Sequence, residues 1–453
     1  MSIFDGKRLS PDIFKLDVER MRRGWYSDKY FKNIVLVLTS LAEQGYRFGG
    51  SSPDLSDLGV DVANVDIGNI VVEMQWFTRR KPSSIVVGVD KALAMLRYCT
   101  GWFDDSGQFH NTWDQLEVLA VQDGAVVEYG GDPMNVQPVL KVRGRYRDFA
   151  MLETPTLGVL TRATRIATNV YKTLSAARGK EVLFFPARFD AHELQAADGY
   201  AYHIAVQLIN RRETSQVPSY ISTDAQGDWW GGAGGGTIAH AAIASFLGDT
   251  AETVMGYAAV LPPEIPRIAL VDFDNDCVGT TLDVMSKLFP KYRALVDAGN
   301  PQEAARFRLG GVRADTSGNM RDVSVPPLGD KRLDMGVNPR LIFTLRQAID
   351  SAYLTWGLPN EWVERARQWC RDVKIVVSGG FTPEKIERFE DLAVPVDYYG
   401  VGSTLLDNST ESGTNNDFTA DIVRVMIDGR WYEMAKLGRR ACDNPQLEPV
   451  TDH

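Results

Sequence analysis

Three groups of residues in this chain of 453 have the types and spacing to do chemistry. The first is "GGAGGGTIAHAAIASF", residues 231 to 246, where five glycines stand among six residues ahead of an apolar run carrying His240. Glycine admits positive φ and the close approach of another group. Thr237 suits an N-cap and Gly248 a C′ position, so the spacing predicts a short helix between them. Both of its lines are small or apolar, which predicts burial nearly all round. His240 would stand in the first turn, beside unpaired N–H groups and the positive end of the dipole, where an anion can sit next to a base or nucleophile. A plain glycine turn before a core helix with a satisfied histidine fits the same letters.

The second group is acidic and basic: Asp272 and Asp274 in "LVDFDND", Arg313 and Asp315 in "GVRADTSGN". An arginine fork suits a carboxylate or a phosphate. Asp315 suits a metal or a sugar hydroxyl, while Asp272 and Asp274 suit orienting His240, holding a metal through water, or capping the next helix. The third group is glycine-rich: Ser378-Gly379-Gly380 in "VKIVVSGGF" and Gly400, Gly402, Ser403 and Thr404 in "YYGVGSTLL". Thr382-Pro383-Glu384 follows the first of these as N-cap, N1 and N2, so N–H groups there and in "GVGST" can cradle a phosphate. Tight turns needing glycine for packing are the alternative.

These residues fall at the ends of elements that must position them. From about residue 150, non-alternating apolar runs ("VLFFPAR", "RIALVDF", "RLGGVRAD", "VKIVVSGG", "VDYYGVGS") alternate with helical patterns ("TTLDVMSKLF", "NPRLIFTLRQAIDSAYLTW", "WVERARQW", "TPEKIERFEDL"). Such strands are parallel and covered by helices. A (β/α) barrel and an open doubly wound sheet both fit, and polar residues at nearly every strand end favour the barrel. The predicted fold is therefore α/β, an irregular (β/α) barrel over 151–410. An α+β domain over 1–150 is joined by a C-terminal segment, 411–453, that returns to it. Within the first 150 residues a helix is predicted across "SPDIFKLDVERMRRG" and another across "VDKALAMLRY", with strands at "NIVVEMQWF", "AVVEYGG" and "VLKVRGRY".

Composition narrows the class. A hydrophobic share of 44% and a charged share of 24% suit a soluble globular protein of two or three domains. A net charge of −10 argues against a nucleic-acid surface but leaves room for a local basic pocket. The four cysteines, Cys99, Cys277, Cys370 and Cys442, lie far apart, which predicts reduced thiols in the cytoplasm and no zinc knuckle. The start "MSIFDGKRLSPDIFK" has no apolar signal core, and runs such as "NIVLVL" are too short to span a bilayer, so no membrane association is expected.

Taken in order, "GRYRDFAMLETPTLGVLTRATRIATN", "GGGTIAHAAIASF", "PRIALVDF", "GVRADTSGN", "VKIVVSGGFTPEKI" and "DYYGVGSTLL" resemble nicotinate phosphoribosyltransferase, closest to its archaeal-like branch. "RRGWYSDKYFKNI" extends the similarity to the N-terminal region, and it is weakest over 40–100 and 320–335. The resemblance implies a type II phosphoribosyltransferase that joins nicotinate to phosphoribosyl pyrophosphate, giving nicotinate mononucleotide and pyrophosphate. ATP hydrolysis would be coupled through a phosphohistidine, by position His240. Charge on the departing pyrophosphate calls for Mg²⁺ and cationic side chains, with Asp272, Asp274 and Asp315 as metal candidates and Arg313 beside them. The resemblance also implies a pyridine ring stacked between Phe185 and a tyrosine of a second subunit, Tyr30, with Arg188 completing Phe-x-x-Arg. A homodimer or higher homo-oligomer with shared sites follows.

This chain departs from the family at "FPARF", where Pro186 replaces a glycine, fixing φ and removing a donor. Its strand end "LVDFDNDC" is more acidic than the family's, and "SQVPSYISTDAQGDWW" has no clear counterpart. Enzymes of the nicotinamide type use an aspartate near that point to accept the amide N–H. Asp224 is the candidate here, or else a loop residue, so nicotinamide is the alternative substrate. A catalytically silent nucleotide-binding barrel and an unrelated phosphosugar-binding barrel are further readings.

Overall fold

The computed structural model describes residues 6–213 and 216–451; the first five residues of the N-terminal stretch read above lie outside them. The chain divides into two compact units. One comprises Met1–Tyr171, Tyr200–Leu208 and Leu406–His453, the other Lys172–Gly199 and Ile209–Leu405. In chain order the principal strands are β1 (Val71–Thr78), β2 (Glu117–Ala120), β3 (Leu140–Arg145), β4 (Glu181–Phe184), β5 (Arg267–Leu270) and β6 (Leu309–Ala314). They continue with β7 (Lys374–Val377), β8 (Tyr398–Val401), β9 (Phe418–Ile427), β10 (Arg430–Glu433) and β11 (Glu448–Pro449).

The first unit is built on a six-stranded antiparallel sheet in the order β10-β9-β1-β3-β2-β11. Along β1, successive side chains alternate between two faces. Met74 and Trp76 enter the main core with Leu96, Leu140 and Phe149, and the indole N–H of Trp76 donates to Thr156 Oγ1 at 3.1 Å. On the other face Glu73, fully buried, accepts from Arg143 (2.6 Å) and Arg424 (3.1 Å). The helix predicted across "SPDIFKLDVERMRRG" is two pieces, a 3-10 turn Pro11–Phe14 and a helix Val18–Arg22. Lys15 sits in the left-handed region at φ 48°, which ends the first piece, and Asp17 caps the second by accepting from Arg20 N.

The second unit is built on a five-stranded parallel sheet in the order β4-β8-β7-β6-β5. Its strands are buried apolar runs, as their non-alternating sequences predict. The helices that follow them begin on side-chain caps. Asp276 accepts from Gly279 N, Asn338 from Leu341 N, and Thr382 from Lys385 N. Beyond β4, single bridges link Phe184 to Ile221 and Ile221 to Gly234. At the β5 edge, Ile238 N donates to Ile268 O at 3.4 Å.

The short helix after the glycine run differs from expectation. It spans His240–Ser245, begins at Ala239 with no side-chain cap, and ends through Leu247 (φ 58°) and Gly248 (φ 90°). Ile243 is its one buried residue, and His240 is exposed. Alanines buried on one side remove little area from water, so an alanine-rich pattern does not by itself draw a helix inward. No helix among the described residues is long and apolar enough to cross a membrane.

Candidate active site

Because the five strands of the second unit run parallel, their C-terminal ends lie on one side of the sheet, where α/β proteins hold ligands. A cavity of about 560 Å³ opens there. Phe185, Arg188 and Phe189 reach it from the end of β4, Arg313 and Asp315 from β6, and Ser378, Gly379 and Gly380 from β7. Gly400, Gly402, Ser403 and Thr404 reach it from β8, and His240 from the segment after the glycine run.

At the β4 end the ladder continues one residue further, Phe185 N donating to Val401 O at 2.9 Å. Pro186 follows at φ −84°, a backbone that needs no glycine, and leads into the 3-10 turn Ala187–Phe189. A Cβ on Gly400 would come within 2.8 Å of the Phe185 ring, and one on Gly402 within 2.6 Å of the Phe189 ring. These two glycines therefore seat aromatic rings, the packing alternative to phosphate contact.

At the β7 end Gly379 (φ 87°) and Gly380 (φ 67°) are left-handed in succession, which side chains rarely adopt. They turn the chain into the helix Pro383–Asp391. Ser378 spends its hydroxyl on Asp315, donating to Oδ1 at 2.8 Å.

Arg313 extends beside the Phe185 ring, its guanidinium carbon 6.0 Å from the ring centroid. It makes one long bond, Nη2 to Ile238 O at 3.4 Å, and its Nε is buried with no protein partner. Burial lowers its pKa, opposed by the charges of Asp315 and Asp272. His240 Nε2 lies 3.2 Å from both carboxylate oxygens of Asp272, and Phe273 tilts over the imidazole at 6.5 Å. Burial raises the pKa of Asp272; the imidazole pulls it back, and Asp315 adds to the rise.

Four predicted site residues do not line this cavity, and of these Asp272 meets it only through His240. Asp274 is exposed and does not line it. Asp224 opens the 3-10 turn Asp224–Gly227 and accepts from Gly234 N at 2.9 Å, tying down the glycine run. Tyr30 belongs to the first unit, on the helix Lys29–Glu43, where its exposed ring donates its hydroxyl to Asp28 at 3.1 Å. Conversely, Phe189 and Ser222 line the cavity without having been singled out. The signal for Phe189 was its place directly after Arg188 in "FPARF".

No family model and no curated protein matches the chain. Among solved structures, nicotinate-nucleotide pyrophosphorylase from Pyrococcus furiosus is 23% identical, with 95% of this chain and 84% of that one covered and a TM-score of 0.59. Human nicotinic acid phosphoribosyltransferase is 15% identical, with 88% and 74% covered and a TM-score of 0.48. NadC from Streptococcus pyogenes is 14% identical, with 86% and 95% covered and a TM-score of 0.43. The first of these likenesses establishes that the chain has the fold of the Pyrococcus furiosus nicotinate-nucleotide pyrophosphorylase.

Proposed function

We propose that the chain transfers the phosphoribosyl group of phosphoribosyl pyrophosphate to nicotinate, forming nicotinate mononucleotide and pyrophosphate in NAD synthesis. The observation that carries this reading is Arg313, half-buried, its Nε without a protein partner, lining the cavity beside the Phe185 ring. A planar aromatic acid answers both features, its ring on Phe185 and its carboxylate on the arginine fork. Asp224, held by Gly234 outside the cavity, is not placed to accept the amide N–H of nicotinamide, which favours the acid over the amide. The fold shared with the Pyrococcus furiosus pyrophosphorylase is consistent with this. The single bridges through Ile221 and Gly234, with the Ile238–Ile268 bond, would close the parallel sheet as an irregular barrel.

In the transfer, the bond from ribose C1 to the pyrophosphate oxygen breaks as the ring nitrogen of nicotinate bonds to C1, and negative charge moves to the leaving group. Backbone N–H groups of the Gly379-Gly380 turn and the hydroxyls of Ser403 and Thr404 are the donors offered to phosphate. Asp315, its Oδ1 fixed by Ser378, is set toward ribose hydroxyls or a metal. No group of three or more metal-ligating side chains occurs among the described residues. One carboxylate completed by water and substrate oxygens does suit Mg²⁺. Bound there, Mg²⁺ would neutralise the departing pyrophosphate.

With an Nε2–H donating to Asp272, the lone pair of His240 is on Nδ1. In this reading Nδ1 bonds to the γ-phosphorus of ATP as the bond to the β,γ-bridging oxygen breaks and ADP leaves, and the Asp272 carboxylate steadies the positive imidazole so formed. The test mixes purified protein, phosphoribosyl pyrophosphate and Mg²⁺ with nicotinate or nicotinamide, with and without ATP. Nicotinate turnover, stimulated by ATP in wild type and not in His240→Ala, is expected. Preference for nicotinamide would overturn the substrate assignment, and nucleotide binding without any turnover would overturn the enzyme.

A further inference from the structure

The exposed phenylalanine at the cavity mouth has a built seat. Phe189 ends the 3-10 turn after β4, its N–H donating to Pro186 O at 2.9 Å, and its ring is 47% exposed. It packs over Gly402 as Phe185 packs over Gly400, and a Cβ at either glycine would displace the ring above it. Gly400, in β8, and Gly402, the residue after its last, are two residues apart. That separation is about 6.6 Å along a parallel strand, close to two van der Waals contacts of about 3.5 Å each. Each ring also has its own arginine, Arg313 at 6.0 Å from Phe185 and Arg188 at 5.2 Å from Phe189. Both rings and both arginines line the same cavity.

We propose that Phe189 provides the second stacking face of the base site from within the same chain, so that a pyridine ring lies between Phe185 and Phe189 with its carboxylate on the arginines. This rests on the proposed function for the identity of the occupant. Phe189 then determines specificity for flat aromatic acids, and the Pro186 turn is the feature that aims it. A second copy's Tyr30 is not needed as the opposing face.

The test compares wild type with Phe189→Ala, Phe189→Leu and Phe189→Tyr in nicotinate turnover, and in calorimetric titration with nicotinate mononucleotide. Losing one face of a ring stack weakens binding by about tenfold. Phe189→Ala and Phe189→Leu are therefore expected to raise KM for nicotinate and Kd for the mononucleotide about tenfold, with KM for phosphoribosyl pyrophosphate changed less than twofold. Phe189→Tyr is expected to restore wild-type values. Phe189→Leu matching wild type would reduce Phe189 to packing on Gly402 and overturn the proposal. So would a silent Phe189→Ala beside a Tyr30→Ala variant that carries the loss. A wild type that neither binds the mononucleotide nor turns over overturns the functional reading first, and this proposal with it.

Discussion

In the antiparallel sheet, fully buried Glu73 is met by Arg143 at 2.6 Å and Arg424 at 3.1 Å, and the second arm of Arg143 reaches Glu117 at 2.7 Å. In the parallel sheet, Arg313 keeps one long bond to a carbonyl and an Nε with no protein partner. Both clusters put charge where charge is expensive. The first satisfies it within the protein, joining β1, β3 and β9 side by side. The second leaves a donor open, at a cost of about 1–3 kcal/mol for a buried unsatisfied group. A closed charge cluster holds a sheet in register; under the proposed function, the open one on the cavity is completed by the carboxylate of the substrate.

That contrast breaks most decisively at Arg313. Arg313→Met is expected to lower kcat/KM for nicotinate roughly 300-fold, about 3.4 kcal/mol for a charge-assisted pair lost in a dry site. The melting temperature should stay unchanged or rise, because the variant also removes an unsatisfied donor. Calorimetry beside steady-state kinetics checks both halves.

Glu73→Leu should do the reverse. It takes from Arg143 and Arg424 their shared buried partner, leaving them only Glu117 and Glu433, and is expected to cost about 3 kcal/mol in denaturant unfolding, with kcat/KM for nicotinate unchanged below the transition.

Glu153 sharpens the comparison within the first unit. Burial, reinforced by Asp421 and Asp28, pushes its carboxyl up to about 8. The folded state thus prefers the protonated form. The stability this provides is complete below the ordinary glutamate pKa of 4.5 and is lost as pH rises through about 8. Glu153→Gln should match wild type at pH 4.5 and exceed it at pH 8.5 by roughly 2 kcal/mol, allowing for partial exposure. Urea unfolding at the two pH values reads this directly.

The smallest effect belongs to Ser378. Ser378→Ala frees Asp315 Oδ1 and is expected to lower kcat about tenfold, about 1.4 kcal/mol for one hydrogen bond to a carboxylate, with unchanged stability.

Much of the framework was legible in the residues. Four of the parallel strands coincide with the runs "RIAL", "LGGVRA", "KIVV" and "YYGV", and the fifth, "EVLF", is one residue offset from "VLFF", because a strand buried on both faces needs a continuous apolar run. Thr382 caps the helix it was expected to cap, whereas the helix after β5 is capped by Asp276 and not by Asp272 or Asp274. The break at Lys15 was not legible, since a lysine at positive φ carries no compositional sign. Within the site, Phe185, Arg188, His240, Arg313 and Asp315 converge on one cavity. Sequence spacing could not reveal that Asp224 turns to Gly234 or that Asp274 faces solvent, because both depend on how a loop folds back on itself. It also could not tell a glycine that cradles phosphate from one that seats a ring. At Gly400 and Gly402 only the neighbouring phenylalanines decide.

The most direct test of the open arginine is equilibrium titration of wild type and Arg313→Met with nicotinate mononucleotide and with nicotinamide mononucleotide. Wild type is expected to bind the acid at least tenfold more tightly than the amide, and this preference to disappear in Arg313→Met. Equal affinity of wild type for the two, or a preference that survives in the variant, would contradict that expectation.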